Sequence, residues 1–347
     1  ERHDLFHEAV FLSVLHASYL RRGELRSAVR YGAKCSDIAD QLATPEVAHL
    51  AHSVIGGLSH YSGDLRRSRT ELENHLTSRG TDKHVGPVYL AYDMHVRSAI
   101  HLARTLWLQG HPSEGIALTR RTISDAKRLE APESLVAVSL LGASVFTWAG
   151  EYEAAGDAIT FSLALAECHS MGRLVTVGRA RKGELDVTRG FARDGVLALR
   201  AALAESHTGG EGLFATEFNV TLIHGLTTLG CFEEALPVAD ENIRLAKAEA
   251  ALTYLPELLR LKGKLALASR HGIGEAKKLF QESLERSRQM GALAWELRTS
   301  VDLAALIASE GDFGYARRLL EDVCARFADS FRTRDINAAV RLLDTFR

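Results

Sequence analysis

The sequence predicts an all-α solenoid: about eight helical hairpins stacked in one array over residues 1–347, closed by a short C-terminal helix. Three observations predict it. A turn signal recurs with a period of about forty residues along the whole chain. The stretches between signals carry apolar residues at helical spacing, and none sustains the two-residue alternation of a strand. Aromatic residues are sparse at 7% and prolines number 6, while Ala and Leu are abundant, a helix-favouring composition. A chain of 347 residues exceeds one ordinary compact core, which leaves two globular domains or one extended array. The period decides for the array.

The signal is a small residue, a bulky residue two places on, and Ala or Gly five places on. It reads Gly23-Glu24-Leu25 with Ala28, then Gly63-Asp64-Leu65 with Ser68, then Gly110-His111-Pro112 with Gly115. It continues as Gly150-Glu151-Tyr152 with Ala155, Gly190 with Gly195, Gly230-Cys231-Phe232 with Ala235, and Gly311-Asp312-Phe313 with Ala316. A degenerate copy places His271 at the turn and Ala276 after it. The spacings are 40, 47, 40, 40, 40, 41 and 40. Gly ends a helix in the left-handed conformation at low steric cost. The acids after it suit the positive end of the next helix dipole. The small residue five on lets two helices approach closely, and the bulky residue plugs the space between hairpins.

Helices of about 17–20 residues fill each half repeat, a little longer than the globular average. Pro45, Pro87, Pro132 and Pro256 mark starts of the first helix of a pair, since Pro is tolerated in a first turn. The one long spacing places an exposed insertion at Ser78 to Pro87, and a second loop lies at Thr208 to Gly212. In the last hairpin Val301, Ala304, Ala305 and Ala308, then Ala316, Leu319, Leu320, Val323 and Phe327, fall at helical spacing. Phe331 and a short helix from Asp335 to Phe346 then cap an otherwise open apolar face.

Composition narrows the function. A net charge of -2 gives no support to direct nucleic-acid binding. Arg66-Arg67-Arg69, Arg120-Arg121, Arg179-Arg181-Lys182 and Arg317-Arg318 read as solvated outer faces. Cys35, Cys168, Cys231 and Cys324 are isolated, form no CxxC pair, and read as small buried hydrophobes of a cytoplasmic protein. No apolar run approaches the ~18 residues of a membrane span, so no membrane association is expected. The chain starts at Glu1 without Met, as expected of a piece excised from a larger protein. His3 with His7, and His49 with His52, share helix faces, but no third ligand completes a metal site. Glu233, Glu234 and Glu249 read as solvated charges. No catalytic motif and no Walker A pattern occurs. The expectation is a non-enzyme without cofactor or metal.

The Gly, aromatic two on, Ala five on pattern resembles the tetratricopeptide repeat, with a period near 40 instead of about 34. The longer form is similar to the sensor domains of bacterial STAND signalling ATPases and winged-helix regulators of the maltose-regulator type. The segment from Glu275 to Leu306, with Trp295-Glu296-Leu297-Arg298, and the closing LLEDVCARFADSFRTRDINAAVRLL, resemble the last repeats of such ATPases. The resemblance implies a right-handed superhelix whose first helices line a concave groove. It also implies that any ATPase or DNA-binding module lies outside this chain.

In that register the groove positions lie 13, 10, 6 and 3 before each turn. Most are apolar or small: Val10, Ala17, Ala137, Leu140, Val177 and Ala180. The exceptions are His60, Arg97, Arg104, Trp107, Ser144, Thr147, Glu184, Glu217, His224 and Arg298. Arg97 and Arg104, two turns apart beside Trp107, suit a carboxylate, phosphate or peptide terminus; Glu184 and Glu217 suit a cationic group. The alternative is that the arginines pair with acids of neighbouring helices. The expected function is a sensor and interaction domain that binds a small-molecule or peptide effector and regulates a linked ATPase or transcription module. The rivals are a pure protein- or peptide-binding scaffold and a peptide-pheromone receptor. The uncapped start of the first hairpin, with Leu5, Phe6 and Val10, is a surface for docking or self-association.

Overall fold

A computed structural model describes residues 2–77, 93–208, 212–268, 272–327 and 333–346. Among these residues every regular element is a helix. The hairpins are α1 (Arg2–Arg21) with α2 (Leu25–Leu42), α3 (Pro45–Ser62) with α4 (Leu65–Thr77), and α5 (Met94–Leu108) with α6 (Pro112–Lys127). Next come α7 (Pro132–Ala149) with α8 (Tyr152–Cys168), α9 (Gly172–Thr188) with α10 (Ala192–Thr208), and α11 (Ala215–Thr228) with α12 (Phe232–Glu249). The last are α13 (Leu255–Ala268) with α14 (Ile273–Met290) and α15 (Leu293–Ser309) with α16 (Phe313–Cys324), followed by the cap α17 (Arg334–Asp344). The molecule is a superhelical solenoid, with eight helical hairpins and a capping helix among the described residues.

The recurring turn works as its residues dictate. Gly23, Gly63, Gly110, Gly150, Gly190, Gly230 and Gly311 all have φ between 75° and 98°. The next N–H reaches back to the carbonyl of the last helical turn, as in Glu151 to Phe146 (2.9 Å) and Phe191 to Asp186 (2.9 Å). Five residues after the turn, Ala28, Ala155, Ala235, Ala276 and Ala316 are fully buried. At Gly195 even a Cβ would come within 2.6 Å of the Gly183 carbonyl oxygen. Acid length decides the capping: Asp312 accepts from the Tyr315 N–H (2.9 Å), whereas Glu24 and Glu151 make no such bond and pair instead with Arg22 and Arg120.

Several expectations are corrected. Cys168 and Cys231 are exposed; only Cys35 is fully buried. Arg181 is not on an outer face but inside the array. Phe313, placed as a plug, is about half exposed and rests edge-on against Phe346 (6.1 Å). Ala305 is exposed, and Leu303 and Ile307 turn inward instead. The 18 residues of α7 do have the length and apolarity of a membrane span, but they are 78% buried between neighbouring hairpins. The insertion from Ser78 to Pro87, His271, Phe331 and most of the loop from Thr208 to Gly212 lie outside the described residues. Gly272, beside the degenerate turn, takes φ 89°.

The array winds back onto itself. First helices pack on first helices along the inside, and α5 also packs on α15, ten helices later. The first turn meets the segment before α11, where Gly212 and Leu213 N–H donate to the Arg21 carbonyl (3.0 Å each). This crossing is close enough that a Cβ on Gly212 would lie 2.2 Å from the Arg22 oxygen. The end of α3 meets the segment before α13: Thr253 N–H donates to Tyr61 O (3.4 Å), and its hydroxyl donates to His60 O. Arg66 donates to the Gln289 carbonyl (3.2 Å). The inner wall is thereby an interior, with room for chambers.

Candidate functional site

Two chambers lie on the inner wall. The N-terminal one, of about 340 Å³, is walled by α1, α3, α5, α7 and α9 and closed by Leu213 and Phe214. Leu140, Leu174 and Val177 give it apolar faces. Its lining carries Arg21, Arg97, Arg173 and Arg181 and, among the described residues, no Asp or Glu. The C-terminal one, of about 240 Å³, is lined by opposite charges: Glu184, Glu217, Glu257, Asp302 and Asp335 against Arg260, Lys264, Arg298 and Arg334.

A buried ion cluster divides them. Arg104 on α5 donates from Nη2 to Glu217 Oε2 (2.9 Å) and to the Tyr254 hydroxyl (2.7 Å), and from Nη1 to Ser144. Arg181 on α9 donates from Nη1 to both Glu184 Oε2 (2.6 Å) and Glu217 Oε1 (2.6 Å). Arg104 is 0% exposed and Glu217 3%. Trp148 stacks on Arg104 at 4.8 Å, and Phe218 and Phe214 flank Arg181 at 4.9 and 5.6 Å. Burial alone would push the Glu217 carboxyl up, but the two guanidiniums overrule it and hold it at about 2. Glu184, with Arg181 as its ion-pair partner and Glu217 nearby, is pushed above the usual carboxylate range by burial.

The histidines around the N-terminal chamber are held neutral by burial. His101 Nδ1 donates to the Arg97 carbonyl (2.8 Å), so its Nε2 accepts from Tyr61 (3.1 Å). Burial and the nearby arginines lower His101 to about 3; burial and Arg97 do the same to His16. The chamber's positive charge therefore comes from arginine.

The residues singled out from sequence distribute as follows. Arg104, Glu184 and Glu217 come together, but as partners in one cluster: the groove acids meet groove arginines. Arg97 stands apart from them in the N-terminal chamber, donating to Ser53 (3.3 Å). Trp107 is buried in a cluster with Trp148 (4.9 Å) and Trp295 (5.9 Å), not as a floor beside Arg97. His60 is buried against Thr105 (2.9 Å) and lines neither chamber. His224 lines the C-terminal chamber, its imidazole lowered to about 4 by burial and by Arg260. Arg298 bridges Glu257 (2.9 Å) and Asp335 (2.6 Å), tying the cap to α13. His49 stacks on His75 (3.7 Å) and His52 pairs with Glu71 (2.7 Å).

Arg181 is the residue of this cluster that sequence reasoning missed. It sits one position off the groove register, in a run of basic residues that reads as surface. Its signal was the nearby acid Glu184, three residues on and on the same helix face.

No family model matches the chain, and no curated protein matches it. Solved structures do. The chain is similar to the Rap conjugation gene regulator of the plasmid pLS20 in complex with the Phr* peptide, at 11% identity and a TM-score of 0.61, over 97% of this chain and 95% of that one. It is also similar to a Rap protein complexed with competence and sporulation factor, at 13% identity and a TM-score of 0.57, over 90% and 79%. The fold is that of the tetratricopeptide-like helical repeats. A STAND protein with a tetratricopeptide-repeat sensor from Pyrococcus horikoshii is a looser match, at 11% identity and a TM-score of 0.49, over 93% of this chain and 49% of that one.

Proposed function

We propose that this chain is a non-enzymatic effector-binding domain of a cytoplasmic regulatory protein. Its N-terminal chamber takes a small molecule or peptide, and occupancy biases a linked signalling ATPase or transcription module. The observation that carries the reading is the chamber itself: an apolar cavity built by five successive first helices and closed by the 212–214 segment. Its volume falls in the range of small-molecule sites. An occupant touching α1 and Phe214 together joins two successive turns of the superhelix. Binding that favours the closed superhelix over an open one is what a regulatory output requires. The two Rap structures, each solved with a peptide or factor, support an interaction role for this type of fold.

The test uses Gly57, which lines the chamber and faces open space: a Cβ there meets nothing within 4 Å. Thermal unfolding of the wild type and Gly57→Phe is followed against pools of metabolites and short peptides. The expected result is a pool that raises the wild-type midpoint and leaves the plugged variant unmoved. If every stabilising pool acts equally on both proteins, the chamber is not the effector site, and a scaffold binding partners by its outer surface takes its place.

A further inference from the structure

The reading of the N-terminal chamber as an effector site leaves its ligand chemistry open, and Arg181 narrows it. A guanidinium has five N–H donors. Arg181 spends Nη1 on Glu184 and Glu217. Its Nε and Nη2 are buried and have no hydrogen-bond acceptor among the described residues. Those two nitrogens form the side edge of the guanidinium, the edge that matches a carboxylate with two parallel bonds. Buried donors left unmade are costly and rare. Arg181 lines the chamber together with Arg97 and Arg173, and among the described residues the lining holds no acid, Arg173 pairing with Glu133 outside it. Around them the wall is apolar.

We propose, building on the effector-site reading above, that the N-terminal chamber binds an apolar chain ending in one carboxylate, with the carboxylate on the Nε–Nη2 edge of Arg181. Arg97 and Arg173 supply long-range attraction while they hold Ser53 and Glu133. The apolar body lies along Leu140, Leu174 and Val177. Phe214, which flanks the guanidinium, belongs to the segment that closes the superhelix, so the head group is sensed where the array meets its next turn. Glu184 is the ligand's competitor for the same guanidinium. Its carboxyl, already pushed up by burial, takes a proton most readily when a second anion arrives.

The experiment is calorimetric titration of the full chain with decanoate, decylamine, and N-acetyl-trileucine as free acid and as amide. Decanoate represents an acyl chain and the free tripeptide a peptide C-terminus; binding of either acid, with its uncharged or cationic analogue failing, supports the proposal and names the source. Arg181→Lys keeps the charge but loses the planar edge, and is expected to weaken the acid by roughly tenfold or more. Glu184→Gln keeps a hydrogen-bond acceptor for Arg181 while removing the competing charge, and is expected to tighten it. Gly57→Phe is expected to abolish binding. Decylamine or the amide binding as well as the acids overturns the proposal, as does undiminished affinity in Arg181→Lys with its helical circular dichroism intact. If neither acid binds while a pool from the screen above still discriminates the plugged variant, the effector site stands and the carboxylate assignment falls.

Discussion

The two chambers differ in how their charges are spent. In the C-terminal chamber the charges around Glu257 have partners on the same wall. Glu257 holds Arg260 and Arg298, Arg260 also holds Asp302, and Arg298 also holds Asp335. In the N-terminal chamber the lining carries four arginines and, among the described residues, no acid; Arg173 and Arg181 pair with Glu133, Glu184 and Glu217, which lie outside the lining. The first arrangement is self-satisfied and ties hairpins to the cap. The second leaves the Nε–Nη2 edge of Arg181 without an acceptor among the described residues. The cluster of Arg104, Arg181, Glu184 and Glu217 is the wall between them, and it belongs to both.

The wall is the most sensitive place to break this comparison. Among the described residues Glu217 is the only acid that holds both Arg104 and Arg181. Glu217→Gln leaves two buried guanidiniums with one remaining carboxylate between them. The expected loss is about 3–5 kcal/mol, the cost of breaking a buried pair. Glu257→Gln, in the C-terminal chamber, leaves Arg260 with Asp302 and Arg298 with Asp335, so its loss should be smaller, about 1–3 kcal/mol. Urea unfolding followed by circular dichroism compares the two. Equal losses would remove the distinction between a shared wall and a redundant network.

Acid should separate the chambers next. His16, His75 and His101 are lowered to about 3, His224 to about 4, and His60 well below its ordinary value, in each case first by burial. A histidine whose folded pKa is depressed costs nothing above its free value of 6.5. Below that, the unfolded chain takes up the proton and the folded chain does not, so stability falls until the pH reaches the folded value. Each such group contributes up to about 1.4 kcal/mol per pH unit. Four of the five lie on α1, α3, α4 and α5. Glu184 works against this trend, since its raised carboxyl gives the folded state a proton first. Glu257, held low by Arg260 and Arg298 against the pull of burial, keeps its contribution until the pH drops below the ordinary carboxylate range. Going from about pH 7 to about pH 5, stability should fall by several kcal/mol, and amide exchange should rise in α3 and α5 before α13 and α15. Uniform protection across the array at the lower pH would count against this order.

The sequence made the array legible because its turns are local. A Gly at φ near 80–90°, an acid and a small residue five on are fixed by one hairpin, and each repeats with its reason intact. The groove register was legible for the same reason: Ala17, Ala137, Leu140 and Val177 do line the N-terminal chamber. What was not legible is which groove charges meet. Arg104 reaches Glu217 across 113 positions and Tyr254 across 150, because the superhelix winds back through its own axis. That closure depends on long-range crossings such as Gly212 on Arg21 and Thr253 on Tyr61, which no periodicity encodes. Arg181 stayed hidden because a helix of eleven buried residues, α9, presents no clean polar face to read it against.

The finest comparison sets one residue against its neighbour. Gly56 and Gly57 sit side by side in α3, one turning toward α4 and the other toward the chamber. A Cβ at Gly56 would lie 2.6 Å from Leu72 Cγ and 3.2 Å from the Leu72 amide nitrogen. The side chain can shift, but the backbone of α4 is held nearby by the Ser68 hydroxyl on the Gly56 carbonyl (2.9 Å). Gly56→Ala should therefore cost about 1–3 kcal/mol by overpacking, despite its gain in helix propensity. Gly57→Ala meets nothing, so only the propensity gain remains, about 0.5–1 kcal/mol of added stability. Thermal unfolding of the two variants reads opposite shifts from the same chemical change. A Gly57→Ala protein less stable than the wild type would show that the chamber wall is packed at that point, and would also disqualify Gly57→Phe as a plug that leaves the fold alone.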